Sequence, residues 1–208
     1  MGRRTIFSYL VVASVAALVG LGAGLGAGYW RWYKVSDPFE FRRWVTMNRI
    51  ADAPVGGVLL FGDSIVERQY FPQMCGLPVF NVGLSSSRTR DHQPMLAELM
   101  MRTQPKWVVI SSGANDLYKG TPISEWRPVV RNMLQTAGRR AIVFGVPPTL
   151  NPDAGPYNDV LRAEVQASGG KFIQPLPVKM TVDGLHPNVA GYREWKKLAS
   201  AACATKNP

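Results

Sequence analysis

Four short blocks hold the residues of this chain whose types and spacing suit chemistry. Gly62-Asp63-Ser64 follows the apolar run 58–61 and sets a hydroxyl at a strand-to-helix turn. Backbone N–H groups at such a turn are unpaired and positively polarised, so Ser64 is a candidate nucleophile. Asn81-Val82-Gly83 ends a second apolar run, and Gly113-Ala114-Asn115-Asp116 follows a third. A glycine lets its N–H approach a ligand closely and an Asn amide donates a hydrogen bond, so Gly83 and Asn115 could join the Ser64 N–H around an oxyanion. In Asp183-Gly184-Leu185-His186-Pro187 the Asp stands three residues before the His. That spacing lets the carboxylate bind one imidazole N–H and leaves the other ring nitrogen to take the Ser64 proton. The second histidine, His92, lies beside Asp91 at an expected helix start, where a solvated histidine is the ordinary expectation. Taken singly, each block is also what a turn or a helix cap requires.

The elements that must position these blocks alternate. Apolar runs at 58–61, 79–82, 107–111, 141–145 and 171–173 are bounded by turn residues and read as strands. Segments of helical length lie between and after them, near 91–102, 124–137, 157–167 and 187–202. A repeated β-α order implies a parallel sheet covered on both faces. Ligands bind such sheets outside the carboxyl ends of the strands, where three of the four blocks fall.

Together the blocks resemble the SGNH hydrolase (GDSL-like) family, whose name records a Ser, Gly, Asn and His supplied here by Ser64, Gly83, Asn115 and His186. The resemblance covers about residues 58–202. It implies an α/β, flavodoxin-like three-layer sandwich on a parallel five-stranded sheet, and ester hydrolysis without a cofactor. It also implies a catalytic set of Ser64, Asp183 and His186, with an oxyanion hole of Ser64, Gly83 and Asn115. The chain departs from the family pattern at Ile65, where many relatives carry Leu, and at Ser85-Ser86-Ser87, where a second Gly is common. The expected activity is a serine esterase hydrolysing short-chain acyl esters, on a small molecule or on cell-envelope glycans or lipids. Two rivals stand beside it: an O-acyltransferase using the same serine, and a catalytically silent membrane-tethered binding module. Pro147, Pro148, Thr149 and Leu150 are candidates to line the acyl pocket, and Arg88 or Arg90 to meet an anionic group; each is equally a plain loop residue.

Ahead of this domain, no charged residue occurs from Thr5 to Trp30, more than the ~20 residues a helix needs to cross a bilayer core. Tyr29, Trp30, Trp32 and Tyr33 gather at its end, as amphipathic rings do where lipid meets water. The expected division is therefore 1–34 as a transmembrane anchor or uncleaved signal sequence, 35–56 as a juxtamembrane helix and linker, and 57–208 as the hydrolase domain. Asp37-Pro38-Phe39-Glu40 reads as the start of that juxtamembrane helix. Arg31, Lys34, Arg42, Arg43 and Arg49 follow the apolar segment, which argues against export by the positive-inside rule. An Arg3-Arg4 tail before an apolar run argues for it. The expectation adopted is a single span in the inner membrane with a periplasmic catalytic domain.

The composition excludes other classes. With 208 residues, one core plus an anchor is the ceiling, and 46% apolar against 18% charged residues excludes wholesale disorder and a multi-span protein. The net charge is +10, but the basic residues form no single run and no aromatic-basic pattern, so a solvated basic surface fits better than a nucleic-acid partner. Cys75 and Cys203 show no CxxC and no zinc spacing. They either pair or stay as two buried small residues, a choice the sequence leaves open.

Overall fold

The computed structural model describes residues 18–29, 38–148 and 153–204. The chain divides into two compact units at Trp44 and Val45. The first holds a helical stretch over 18–29 and the opening turns of α1 (Pro38–Asn48), where Phe41 and Trp44 stack with centroids 6.2 Å apart. Asp37, the expected cap of α1, lies outside the described residues.

The expected transmembrane helix is overturned. No helix among the described residues is long and apolar enough to cross a membrane. The described helical stretch, residues 18–29, supplies twelve of the ~20 residues a span needs, and five of the twelve are glycines, which add little apolar surface. The rest of the expected span, residues 5–17 and Trp30, lies outside the described residues. The inner-membrane, periplasmic placement rested on that span and falls with it.

In the second unit the sheet has six strands, not five. Its order is β2-β3-β1-β4-β5-β6, from β1 (Val58–Gly62), β2 (Gln73–Met74), β3 (Leu77–Gly83), β4 (Trp107–Ser111), β5 (Ala141–Phe144) and β6 (Lys171–Ile173). Neighbours from β3 to β6 pair in parallel, whereas β2 pairs antiparallel with β3 through a tight hairpin. Strands covered on both faces read as unbroken apolar runs, and all residues of β1 and β5 are buried.

Successive side chains of a strand point to opposite faces. On one face Leu60, Val109 and Ile142 pack with Phe144, Trp195 and Ala199, the last two from α8 (Val189–Ala204). The Phe144 and Trp195 rings stack at 4.1 Å between centroids, worth about 0.5–1.5 kcal/mol beyond the area they bury. On the other face Phe61 meets the His92 ring edge-on at 5.1 Å. His92 ends α3 (Thr89–His92), which leads into α4 (Leu96–Thr103). Helices α6 (Ile123–Ala137) and α7 (Gly155–Ser168) pack together, and Trp126 sits 4.6 Å from Tyr157. Because α8 lies beside β2, Cys203 reaches Cys75 and the two form a disulfide with Cα atoms 5.9 Å apart, which closes the choice the sequence left open.

Candidate active site

Three strands end level. Gly62 is in register with Gly83 on one side and with Ser111 on the other, so the turns after β1, β3 and β4 are neighbours. Glycine is required at two of these ends. A Cβ on Gly62, whose φ is +151°, would run into the Ser111 carbonyl oxygen, and one on Gly83 would meet the Glu67 nitrogen.

The first turn opens α2 (Ser64–Glu67) with Asp63 as its N-cap, and the Asp63 carboxylate accepts the Ile65 N–H at 3.0 Å. Ser64, at the first helical position, has an N–H with no intrahelical partner. Asp63 is buried and its Oδ2 has no hydrogen-bond partner among the described residues. Burial lifts its pKa to about 7, against the pull of the Ile65 N–H and with a further push from Asp116.

His186 arrives from the loop before α8. That loop is organised by Asp183, whose Oδ1 accepts the backbone N–H of Leu185 at 3.0 Å and of His186 at 2.7 Å. The Val182 N–H donates to the His186 carbonyl at 2.8 Å and closes the turn. The Asp183 Oδ2 then lies 2.6 Å from His186 Nδ1, and His186 Nε2 lies 2.8 Å from Ser64 Oγ. Partial burial opposes the charge on Asp183, but the His186 side chain and the two backbone donors outweigh it and hold its pKa down at about 2. Serine, imidazole and carboxylate therefore form one continuous hydrogen-bonded line, the geometry of a nucleophile, its base and the group that orients the base.

The donors around this line differ in availability. Asn115, in α5 (Ala114–Tyr118), gives one amide N–H to the Ser87 carbonyl at 3.0 Å, and the other meets no acceptor among the described residues. The Gly83 N–H is already given to Asn81 Oδ1 at 2.9 Å, while Asn81 Nδ2 ties down the Val66 and Gln69 carbonyls at 2.8 Å each. In the loop after β3, Leu84 donates to Gly62, Ser85 to Glu67, Ser87 to Leu84, Arg88 to Asp91 and Thr89 to Asp116. Ser86 is exposed, has a φ of +66°, and is the one residue of 83–89 whose N–H meets no acceptor among the described residues. The serine run in place of a second glycine was the signal in the sequence that this loop differs.

His92 is not solvated, as its place beside Asp91 suggested, but fully buried; burial takes its pKa down to about 4 against the pull of Asp91. Arg88 and Arg90 both turn to Asp91, at 3.9 Å and 3.6 Å. Pro147 borders a crevice of about 10 Å³ with Ile65, Leu185 and Pro187; Pro148 is exposed, and Thr149 and Leu150 lie outside the described residues.

The sequence over residues 60–194, more than half of the chain, matches the model of the GDSL-like lipase/acylhydrolase family. The chain belongs to that family. As a GDSL-like protein it is a hydrolase of the esterase or acylhydrolase kind. Solved structures share its fold. A GDSL-like lipase from Bacteroides thetaiotaomicron aligns at 20% identity with a TM-score of 0.63, over 80% of this chain and 98% of that one. The lipase/acylhydrolase from Enterococcus faecalis aligns at 20% identity and 0.61, over 73% and 97%. A catalytic mutant of an acetylxylan esterase from Geobacillus stearothermophilus aligns at 17% and 0.58, over 74% and 96%. No curated protein matches the sequence.

Proposed function

We propose that this GDSL-like protein is a serine esterase that hydrolyses short-chain acyl esters through an acyl-enzyme on Ser64. The observation that carries the reading is the line from Ser64 Oγ to His186 Nε2 at 2.8 Å and from His186 Nδ1 to Asp183 Oδ2 at 2.6 Å. His186 takes the Ser64 proton as Oγ attacks the ester carbonyl, and Asp183 stabilises the imidazolium that forms. The negative oxygen is held by the Ser64 N–H, the free Asn115 amide N–H and, in place of the occupied Gly83 N–H, that of Ser86. Collapse expels the alcohol, which leaves with the proton from His186. Water, deprotonated by the same ring, then releases the acid and restores Ser64.

The short connections between strands and helices, with no lid-length insertion among the described residues, favour a small acyl group at an open site. The acetylxylan esterase among the structural relatives points the same way. Hydrolysis of p-nitrophenyl acetate by the protein and by Ser64→Ala tests the proposal, with fluorophosphonate labelling of Ser64 alongside. Ser64-dependent turnover and labelling are expected; equal turnover by both proteins would refute it.

A further inference from the structure

We infer that His92 is a positioning residue that fixes the two loops from which the Asn115 and Ser86 donors hang. The inference rests on the oxyanion-hole reading proposed above. His92 lies beneath the site on the Phe61 face, with no solvent exposure, and touches neither Ser64 nor His186 through any hydrogen bond among the described residues. Its two ring nitrogens reach two different loops: Nδ1 is 2.9 Å from Ser87 Oγ, after β3, and Nε2 is 2.9 Å from Ser112 Oγ, after β4.

The proton count along these contacts fixes the tautomer. Ser87 Oγ donates its single proton to the Leu84 carbonyl at 2.6 Å, so towards His92 it can only accept, and Nδ1 carries the hydrogen. The neutral ring then has a lone pair at Nε2, and Ser112 Oγ is its donor. Thr89 braces the same joint: its Oγ1 donates to Asp116 Oδ2 at 2.8 Å and accepts the Trp126 indole N–H at 2.9 Å, so at 2.8 Å from Ser112 Oγ it is a second acceptor for the one Ser112 proton. A buried polar network that joins both loops resists movement, because a slip leaves desolvated groups unmatched.

What the ring holds is the frame of the hole. Ser87 follows Ser86, the residue with the uncommitted N–H, and the Ser87 carbonyl accepts the Asn115 amide at 3.0 Å. Ser112 stands three residues before Asn115, across a Gly113 whose φ is +110° and where a Cβ would press on the Trp126 ring at 2.7 Å. The imidazole is therefore one of the ties that hold the two loops at a fixed distance, beside the Asn115–Ser87 and Thr89–Asp116 bonds. A donor displaced by about 1 Å loses on the order of 10²-fold in rate, so a rigid strut here bears on the transition state and not on substrate capture.

The test is a double-mutant cycle on p-nitrophenyl acetate hydrolysis with His92→Leu and Asn115→Ala, and with Ser112→Ala as a milder cut of one contact. His92→Leu is expected to lower kcat about 10- to 100-fold with KM within about twofold, since only transition-state donors move. Ser112→Ala should lower kcat less, and His92→Asn, which keeps one donor and one acceptor, should recover part of the loss. Because His92 acts through both donors, His92→Leu should cost clearly less in the Asn115→Ala background than in the parent, the remaining loss coming through Ser86. A kcat unchanged in both His92→Leu and Ser112→Ala, or losses that multiply in the double variant, overturns the positioning role while the esterase reading stands. A parent protein no faster than Ser64→Ala refutes the esterase reading, and this role with it.

Discussion

The Tyr192 hydroxyl, on α8, donates to the Ile65 carbonyl at 3.2 Å across 127 residues of sequence. One bond thus joins the helix that follows His186 to the turn that presents Ser64. Burial pushes the Tyr192 pKa up to about 12, with Arg68 opposing and Asp63 and Asp183 adding to the rise, so the phenol remains a donor at any working pH. Tyr192→Phe is expected to cost about 1 kcal/mol of stability and to lower kcat several-fold at unchanged KM, by loosening Ser64 against His186. Urea titration and steady-state kinetics check both; an unaltered kcat would show that the triad does not depend on this tie.

Asp183 has two tasks that one substitution separates. An Asn in its place can still accept the Leu185 and His186 backbone N–H groups through its carbonyl oxygen, so the loop before α8 should persist and the melting temperature should move little. It can no longer stabilise an imidazolium or hold the Nδ1–H tautomer, so Asp183→Asn should lower kcat by up to about 10⁴-fold. Kinetics paired with thermal melting reads this out. A large fall in melting temperature with little loss of kcat would make Asp183 a loop anchor only.

Three of the four blocks were legible in the sequence because each stands where a buried apolar run stops, and level strand ends bring such points together; the fourth was legible from the Asp-to-His spacing. Less legible features depend on packing between distant elements. Strand β2 is two residues long and carries no period to read. The Cys75–Cys203 bond depends on α8 settling beside that edge. His92 follows Arg90 and Asp91 and so reads as part of a charged helix start, yet it faces Phe61. The occupation of the Gly83 N–H by Asn81 is a side-chain choice that spacing does not reveal. The expected membrane span came from counting uncharged residues, a measure blind to glycine content.

The disulfide lies at the opposite end of the strands from the triad. Cys75 precedes β3 and shares a groove with Lys106 and Trp107 at the start of β4, whereas Ser64 follows the far end of β1. Linking residues 128 apart should stabilise the fold by about 2–5 kcal/mol. Reduction, or Cys203→Ser, is therefore expected to lower the urea midpoint and to leave kcat measured in the absence of urea unchanged. A parallel loss of kcat in the still-folded protein would show that the edge strand communicates with the site.

Two buried groups bind protons in opposite senses, and their effects on stability offset each other. Asp63 has a folded pKa of about 7 against 3.8, so between those values the folded state holds a proton that the unfolded chain has lost, and stability falls as pH rises. His92 has a folded pKa of about 4 against 6.5, so across that window the unfolded chain holds the extra proton, and stability falls as pH drops. Each slope is at most about 1.4 kcal/mol per pH unit, and from pH 4 to 6.5 they nearly cancel. Asp63→Asn removes the aspartate's contribution: measured by urea denaturation and referred to the parent, its stability should decline from about pH 7 to 4. His92→Leu removes the histidine's contribution, so its stability relative to the parent should decline from pH 4 to about 6.5. Other titrating groups drop out of both differences. Parallel profiles for parent and variants would mean that neither group changes its proton occupancy on folding over this range.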